Sequence, residues 1–304
     1  MSHDTGRVWS PVITPFAADL SADTERFVAH CRWLVEQGVG LAVFGTNSEA
    51  NSLTVDEKNG LLDALVDGGI PANLLMPGTG GCALPDTVAQ TRHAVGSGVA
   101  GVLMLPPFYY KGVSDEGLFR YFSEVIERVG DERLRVYLYH IPAVSQVPLS
   151  LDLIGRLLEA YPNNVAGLKD SSGDWANTRA VIERFGRTGF EVYAGSETFL
   201  LQTLRAGGAG CISATANVNP RAIAQLARTW QADDADEQQA ALVRIRKIFE
   251  RFPVIAALKA ATARYSRHGQ WAQLRPPLIA LNEQQRGELH ALLDAAGFAM
   301  PGLG

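Results

Sequence analysis

Lys169 stands at the end of the short apolar run Val165-Ala166-Gly167-Leu168 and is followed at once by the turn-forming Asp170-Ser171-Ser172-Gly173. The chain has five lysines, and this one falls where a buried strand would meet its loop. Thirty residues earlier the run Val136-Tyr137-Leu138-Tyr139 stops at His140-Ile141-Pro142, which sets a phenol at the matching end of the preceding strand. Burial among apolar walls disfavours the charged form of a lysine and leaves a free amine that condenses with a ketone or aldehyde. The protonated imine so formed draws electrons from the neighbouring carbon, whose bonds then break or form, while a nearby phenol moves protons without carrying a permanent charge. Each residue also admits a plainer reading. Lys169 would be a rim lysine paired with Asp170, and Tyr139 a core aromatic with a satisfied hydroxyl, as Tyr137 is expected to be.

Other polar groups fall at the ends of apolar runs. Gly45-Thr46-Asn47-Ser48-Glu49 offers hydroxyls, an amide and free backbone N–H groups, a suitable cradle for a carboxylate, and would equally serve as a capped turn. Pro106-Pro107-Phe108-Tyr109-Tyr110 has no room to start a helix; it would wall a pocket, reach a neighbouring subunit or simply pack. Gly195-Ser196-Glu197 and Ser213-Ala214-Thr215 add small polar groups suited to a hydroxylated substrate. Lys259, in the helical run Ile255-Ala256-Ala257-Leu258-Lys259, is a rival amine whose placement favours a structural or surface role.

The elements that must position these residues repeat about once per thirty residues. Apolar runs at 8–14, 41–45, 74–77, 101–105, 136–139, 165–169, 192–194 and 211–214 read as strands. Amphipathic stretches at 24–37, 56–66, 86–95, 115–129 and 151–160 read as the helices between them. Thr54 and Glu57 have capping-box spacing, and Asn219-Pro220 supplies an N-cap followed by proline at the first helical position. Eight strand–helix units, apolar on both strand faces, predict an α/β fold: a closed (β/α)₈ TIM barrel with its active site at the C-terminal strand ends. No G-x-G-x-x-G follows the first strand, which removes the usual reason to prefer a dinucleotide fold. After Arg221 the strand signal ends, and segments 237–264, broken or kinked at Pro253, and 283–296 read as helices. The expected division is a catalytic barrel over 1–225 and a C-terminal helical extension over 226–304.

With 304 residues, of which 47% are hydrophobic, the chain holds ample material for a sizeable core. Its net charge of −5 argues against a general nucleic-acid binder. Met1 to Arg7 lacks a leader pattern, and no apolar run reaches the ~18 residues of a membrane span, so a cytoplasmic protein with no membrane association is expected. Cys31, Cys82 and Cys211 are odd in number and lack a C-x-x-C pair, which reads as reduced packing thiols. The six histidines (His3, His30, His93, His140, His268 and His290) show no metal-site spacing, and no metal is expected.

In four of these places the residues resemble the dihydrodipicolinate synthase and N-acetylneuraminate lyase family of Schiff-base aldolases, and the resemblance covers nearly the whole chain. Gly45 to Glu49 is similar to that family's G-[TS]-T-G-E, Tyr139-His140-Ile141-Pro142 to its Y-N-x-P, Gly167-Leu168-Lys169 to its G-x-K, and Pro107-Phe108-Tyr109-Tyr110 to its tyrosine-bearing loop. Leu274-Arg275-Pro276-Pro277-Leu278 resembles a frequent C-terminal segment. The resemblance implies a Schiff base between Lys169 and pyruvate or another 2-keto acid, with Tyr139 relaying protons and no cofactor. It further implies that Thr46 and Asn47 hold the carboxylate or the relay, that Tyr110 is contributed across a dimer contact, and that the protein is a homotetramer built as a dimer of dimers.

Three departures from the family pattern bear on the substrate and on the proton relay. Val144 stands where dihydrodipicolinate synthases carry an arginine for the second substrate's carboxylate, and 136–150 contains no arginine. Asn47 and Ser48 replace the usual threonine and glycine. Ala214 stands in place of the serine of sialic acid lyases, and Gly195-Ser196-Glu197-Thr198 matches their acidic pattern only loosely. The expected activity is aldol cleavage or dehydration of a 2-keto-3-deoxy sugar acid. A 4-hydroxy-tetrahydrodipicolinate synthase using pyruvate and aspartate semialdehyde is one alternative, and a non-catalytic 2-keto-acid-binding protein is another.

Overall fold

The computed structural model of the protein describes residues 5–303. His3 and the outermost positions of both expected units lie outside the described residues. Seven strands, β1 (Val8–Ser10), β2 (Gly40–Leu41), β3 (Val102–Met104), β4 (Val136–His140), β5 (Val165–Asp170), β6 (Glu191–Ala194) and β7 (Gly210–Ile212), form one sheet in the order β2-β1-β7-β6-β5-β4-β3. All of their ladders are parallel. The expected strand at 74–77 is held by single bridges rather than a ladder: Leu41 pairs with Leu75 on one side, and Gly78 with Leu103 on the other. Met76 N–H donates to Leu41 O at 2.8 Å, and Leu103 N–H to Pro77 O at 2.9 Å. Pro77 has no N–H to return, so the segment lacks the alternating bonds of a regular strand. It nonetheless touches both edges of the curled sheet, an arrangement that fits the TIM barrel expected from the sequence.

The expected strand at 8–14 stops at Ser10 because Pro11 cannot donate to a ladder. Trp9, Ala42, Met76, Leu103, Tyr137, Tyr193 and Ile212 pack as a separate buried cluster of strand side chains. Side chains rather than a channel therefore fill the sheet's concave interior. Tyr137 donates to Glu191 at 2.5 Å and Tyr193 to Gly6 O at 2.8 Å, so these phenols are satisfied core groups.

Helices α1 (Thr24–Glu36), α2 (Val55–Asp67), α3 (Leu84–Gly96), α4 (Asp115–Val129), α5 (Pro142–Ser145), α6 (Leu151–Ala160), α7 (Trp175–Phe185), α8 (Leu200–Arg205) and α9 (Pro220–Arg228) follow the strands in turn. The Thr54–Glu57 capping box is formed, with bonds of 3.1 and 2.9 Å. Asn219 occupies the N-cap of α9 without a side-chain bond, leaving Pro220 as the stronger start signal. The expected helix at 237–264 is two, α10 (Ala235–Phe249) and α11 (Val254–Ser266), because Pro253 ends the first and opens the second. With α12 (Glu283–Ala295) they supply the helices at the C-terminal end. Cys31 and Cys211 are buried thiols, as expected, whereas Cys82 is exposed rather than a packing group of the core. No described helix is long and apolar enough to cross a membrane.

The register of β4 on β5 positions the chemistry. A bulge after Val136 shifts the pairing, so that Val136 aligns with Val165 but Tyr137 with Gly167, Tyr139 with Lys169 and His140 with Asp170. Aligned residues on neighbouring parallel strands share a face. A Cβ on Gly167 would lie 2.3 Å from Glu191 O and 2.7 Å from the Tyr137 ring. Gly167→Ala should therefore destabilise the fold by about 2–3 kcal/mol, read from a lower urea midpoint at constant slope. An unchanged midpoint would mean that β5 does not lie this close to β6 and Tyr137.

Candidate active site

Lys169 is 2% exposed and its Nζ lies 4.1 Å from the centre of the Tyr139 ring. It is not a rim lysine paired with its neighbour. Asp170 points to the other face of β5, where its carboxylate accepts from Ser172 N–H at 2.9 Å, Asn177 Nδ2 at 2.9 Å and Thr178 Oγ1 at 2.7 Å. These bonds fasten the entry of α7. His140 lies on the same outer face; its Nδ1 accepts from Leu149 N–H at 3.0 Å and its Nε2 is 4.0 Å from Asp170 Oδ1. Burial lowers its pKa, against an opposing pull from Asp170.

Tyr139 is buried with its hydroxyl 3.2 Å from Thr46 Oγ1, so three of the sequence-derived residues meet. Burial alone would raise its pKa. The Lys169 charge, with hydrogen bonds from Thr46, Lys169 and Ser171, outweighs that effect and holds the phenol below its ordinary value. A phenol so placed accepts and returns a proton next to the amine. Ser171, two residues beyond the lysine, was not singled out from the sequence; its position in the turn after the strand was the available signal.

Thr46–Ser48 forms a single 3₁₀ turn after β2. Ser48 faces into this turn, where its Oγ accepts from Gly45 N–H at 3.2 Å and its carbonyl accepts from Thr14 Oγ1 at 2.8 Å. Ser48 is thus a brace, whereas Thr46 and the half-buried Asn47 carry the leading N–H groups, which have no carbonyl partner within the turn. A cleft beside them is lined by Gly45, Thr46, Gly78, Gly80, Leu105 and Tyr139.

The remaining sequence-derived residues divide. Gly195 lies where a Cβ would be 2.1 Å from Ser171 Oγ, which brings the loop after β6 against the one carrying Lys169. Ser196 caps Thr198 N–H at 3.2 Å. Glu197 is buried with its carboxylate bonded by Ser213 and Thr215, and Arg246 of α10 stands 3.5 Å away. Its acceptors face those groups rather than Lys169. Ala214 is buried at the start of the Ala214–Asn217 turn. Tyr109 and Tyr110 are 74% and 72% exposed and contact each other edge to face at 5.4 Å, so the chain's own fold does not bring them to Tyr139.

Lys259 is structural but not at the surface. Its side chain is fully buried, pairs with Glu49 and donates to Gln273 O at 2.7 Å. Its setting among Ala256, Ala257, Leu258, Ala260 and Ala261 was the sequence signal for an interior lysine.

The model of the dihydrodipicolinate synthetase family matches residues 4–296. An uncharacterized DapA-like lyase of Chloroflexus aurantiacus is 33% identical over 94% of this chain and 95% of its own. The crystal structure of dihydrodipicolinate synthase from Agrobacterium tumefaciens superposes with a TM-score of 0.88 at 30% identity, covering 96% of this chain and 99% of that one. That of YagE from Escherichia coli K12, solved with pyruvate, gives a TM-score of 0.88 at 28% identity over 97% and 99%. In sequence, YagE is named a putative 2-dehydro-3-deoxy-D-gluconate aldolase and is 30% identical over 93% of this chain and 94% of its own. The chain belongs to the dihydrodipicolinate synthetase family.

The contrast between Tyr139, lowered by its neighbours, and Tyr137 and Tyr193, both raised by burial, is measurable. In a near-ultraviolet difference titration, Tyr139 should ionise before the other two, and Tyr139→Phe should remove that early step. Lys169→Met should move it to higher pH, since the charge favouring the phenolate is gone. Persistence of the early step in Tyr139→Phe would show that another phenol carries it.

Proposed function

We propose that this member of the family is a Schiff-base lyase acting on pyruvate or a 2-keto-3-deoxy sugar acid, as an aldolase or a dehydratase. The observation that carries this reading is the buried Lys169 amine lying against the Tyr139 ring, with the Tyr139 hydroxyl on Thr46. The amine would attack the C2 carbonyl of the keto acid, and Tyr139 would deliver the proton with which the carbinolamine oxygen leaves as water. In the aldolase reaction, a base removes the C4 hydroxyl proton, the C3–C4 bond breaks and its electron pair enters the imine as an enamine. In the dehydratase reaction, a C3 proton leaves instead and the adjacent hydroxyl departs as water. Protonation and hydrolysis return the free amine. Thr46 and Asn47 would receive the carboxylate on their N–H groups, while Ser48 holds the turn.

Two other readings stay beside this one. Synthesis of 4-hydroxy-tetrahydrodipicolinate is the activity in the names of several relatives, but the exposed Val144 offers no charge for a second carboxylate. A protein that binds a 2-keto acid without turnover is compatible with Asn47 and Ser48. The reading further includes a closed (β/α)₈ barrel over 1–225 with a helical extension over 226–304, and a cytoplasmic homotetramer. The outward Tyr109–Tyr110 pair supports the assembly, because aromatic groups this exposed fit a surface that meets a partner subunit.

Incubation with pyruvate and borohydride, followed by intact mass and peptide mapping, should place a reduced adduct on Lys169 and none on Lys169→Ala. A folded protein without adduct would overturn the imine. A screen of sugar acids should release pyruvate, which the binding-only reading forbids. Tyr139→Phe should lower the turnover number by about 10²–10⁴-fold, the usual weight of a general acid–base group. An unchanged turnover number would remove Tyr139 from the relay.

A further inference from the structure

Two residues from the C-terminal part of the chain converge on the turn that carries Thr46. Lys259 of α11 forms an ion pair with Glu49 in which both side chains are 0% exposed. Its ammonium also donates to Gln273 O at 2.7 Å and lies 4.4 Å from the Phe16 ring. The second Glu49 oxygen accepts from Arg275 N–H at 3.0 Å. The Arg275 guanidinium, 4.6 Å from the same ring, donates to Ser52 O at 2.6 Å, to Leu20 O at 2.8 Å and to Glu57. The stretch from Thr46 to Glu57 is thereby fastened near both ends to residues more than two hundred positions later.

A buried ion pair contributes little net stability, because desolvation offsets the attraction, but separating its partners leaves a charge buried alone at a large cost. Here a single orientation of the Glu49 carboxylate satisfies both Lys259 and Arg275 N–H. Glu49 itself adopts φ 56°, a left-handed conformation uncommon outside glycine, and its N–H closes the turn on Thr46 O at 3.2 Å. The side chain that fixes Glu49 therefore fixes where the turn ends, and with it the direction of the Thr46 hydroxyl and leading N–H groups.

We propose that Glu49 and Lys259 are positioning residues for the reaction, their ion pair holding the Thr46–Ser48 turn in the attitude that receives the keto acid's carboxylate and keeps Thr46 on Tyr139. The inference rests on the Schiff-base reading and deepens it. It also assigns the second buried amine: the Lys259 ammonium is committed to Glu49 and Gln273, so it orients the site while Lys169 reacts.

A pH signature accompanies the geometry. Burial lowers the Lys259 pKa to about 8, against the opposing charge of Glu49 and with a further downward push from Arg275. Glu49 and Arg275 are the charged groups facing it, and Glu57 faces Arg275. The ammonium is present below that pH and lost above it, so the grip on Glu49 weakens as pH rises through about 8.

The test is a pyruvate titration of the borohydride-trapped Lys169 adduct, run across pH on wild type and on the double variant Glu49→Leu/Lys259→Met. Replacing both charges by apolar groups avoids leaving either one buried alone. In the double variant the half-saturating pyruvate concentration should rise roughly tenfold, the scale on which supporting partners of a site act, while the adduct plateau is retained. The wild-type rise in half-saturation near pH 8 should vanish from the double variant. A folded double variant with wild-type half-saturation and pH profile would overturn the proposal. One that does not fold would also overturn it, by assigning the pair to folding instead. Wild type without any adduct would remove the Schiff-base reading and this one with it, whereas adducts of equal affinity in both proteins would remove this one alone.

Discussion

The pairing of β4 with β5 governs what the upper end of the sheet is able to do. Because side chains alternate along a strand, a slip of one residue would turn Lys169 outward and bring Asp170 in. The bulge after Val136 and the absence of a side chain at Gly167, where the Tyr137 ring and the Glu191 carbonyl crowd in, fix the alignment from below. From above it is fixed on the outer face, where Asp170 is committed to Ser172, Asn177 and Thr178, and His140 to Leu149. The same bonds commit the carboxylate next to Lys169 in sequence to the outer face.

The two buried lysines show how one residue type serves opposite ends. Lys259 keeps a carboxylate partner and a carbonyl, and its ring contact with Phe16 adds a third favourable surface for a cation. Among the described residues Lys169 has no carboxylate within ion-pair distance, only the Tyr139 ring and its hydroxyl chemistry. Both amines are buried, but only Lys259 has a carboxylate partner that holds its charge in place for the architecture.

Much of this was legible in the sequence, because strand–helix alternation and strand ends are local patterns. The limits of α4 and α6, the Thr54 capping box and the break at Pro253 follow from periodicity and caps, and the approach of Lys169 to Tyr139 from spacing, while Thr46 joins them on the family resemblance. The missing ladder at 74–77 depends on a proline at one rung and on single bridges to two strands distant in sequence, which no local window contains. The partners of Glu197 were hidden for a similar reason: Ser213, Thr215 and Arg246 come from elements distant from it in sequence. The depth of Lys259 was written in the alanines around it, but its partner Glu49 lies 210 residues earlier, beyond any helical spacing rule.

That separation has a consequence for the birth of the molecule. A chain emerging from the ribosome exposes β2, the Thr46–Ser48 turn and the Tyr139–Lys169 strand pair long before α11 exists, and domains begin to fold from the N-terminal side as they emerge. The carboxylate of Glu49 must wait in water until Lys259 and Arg275 have cleared the exit tunnel, 210 and 226 residues later. The nascent protein therefore passes through an interval in which the Thr46–Ser48 turn is made but lacks the Lys259 and Arg275 contacts that later fasten Glu49.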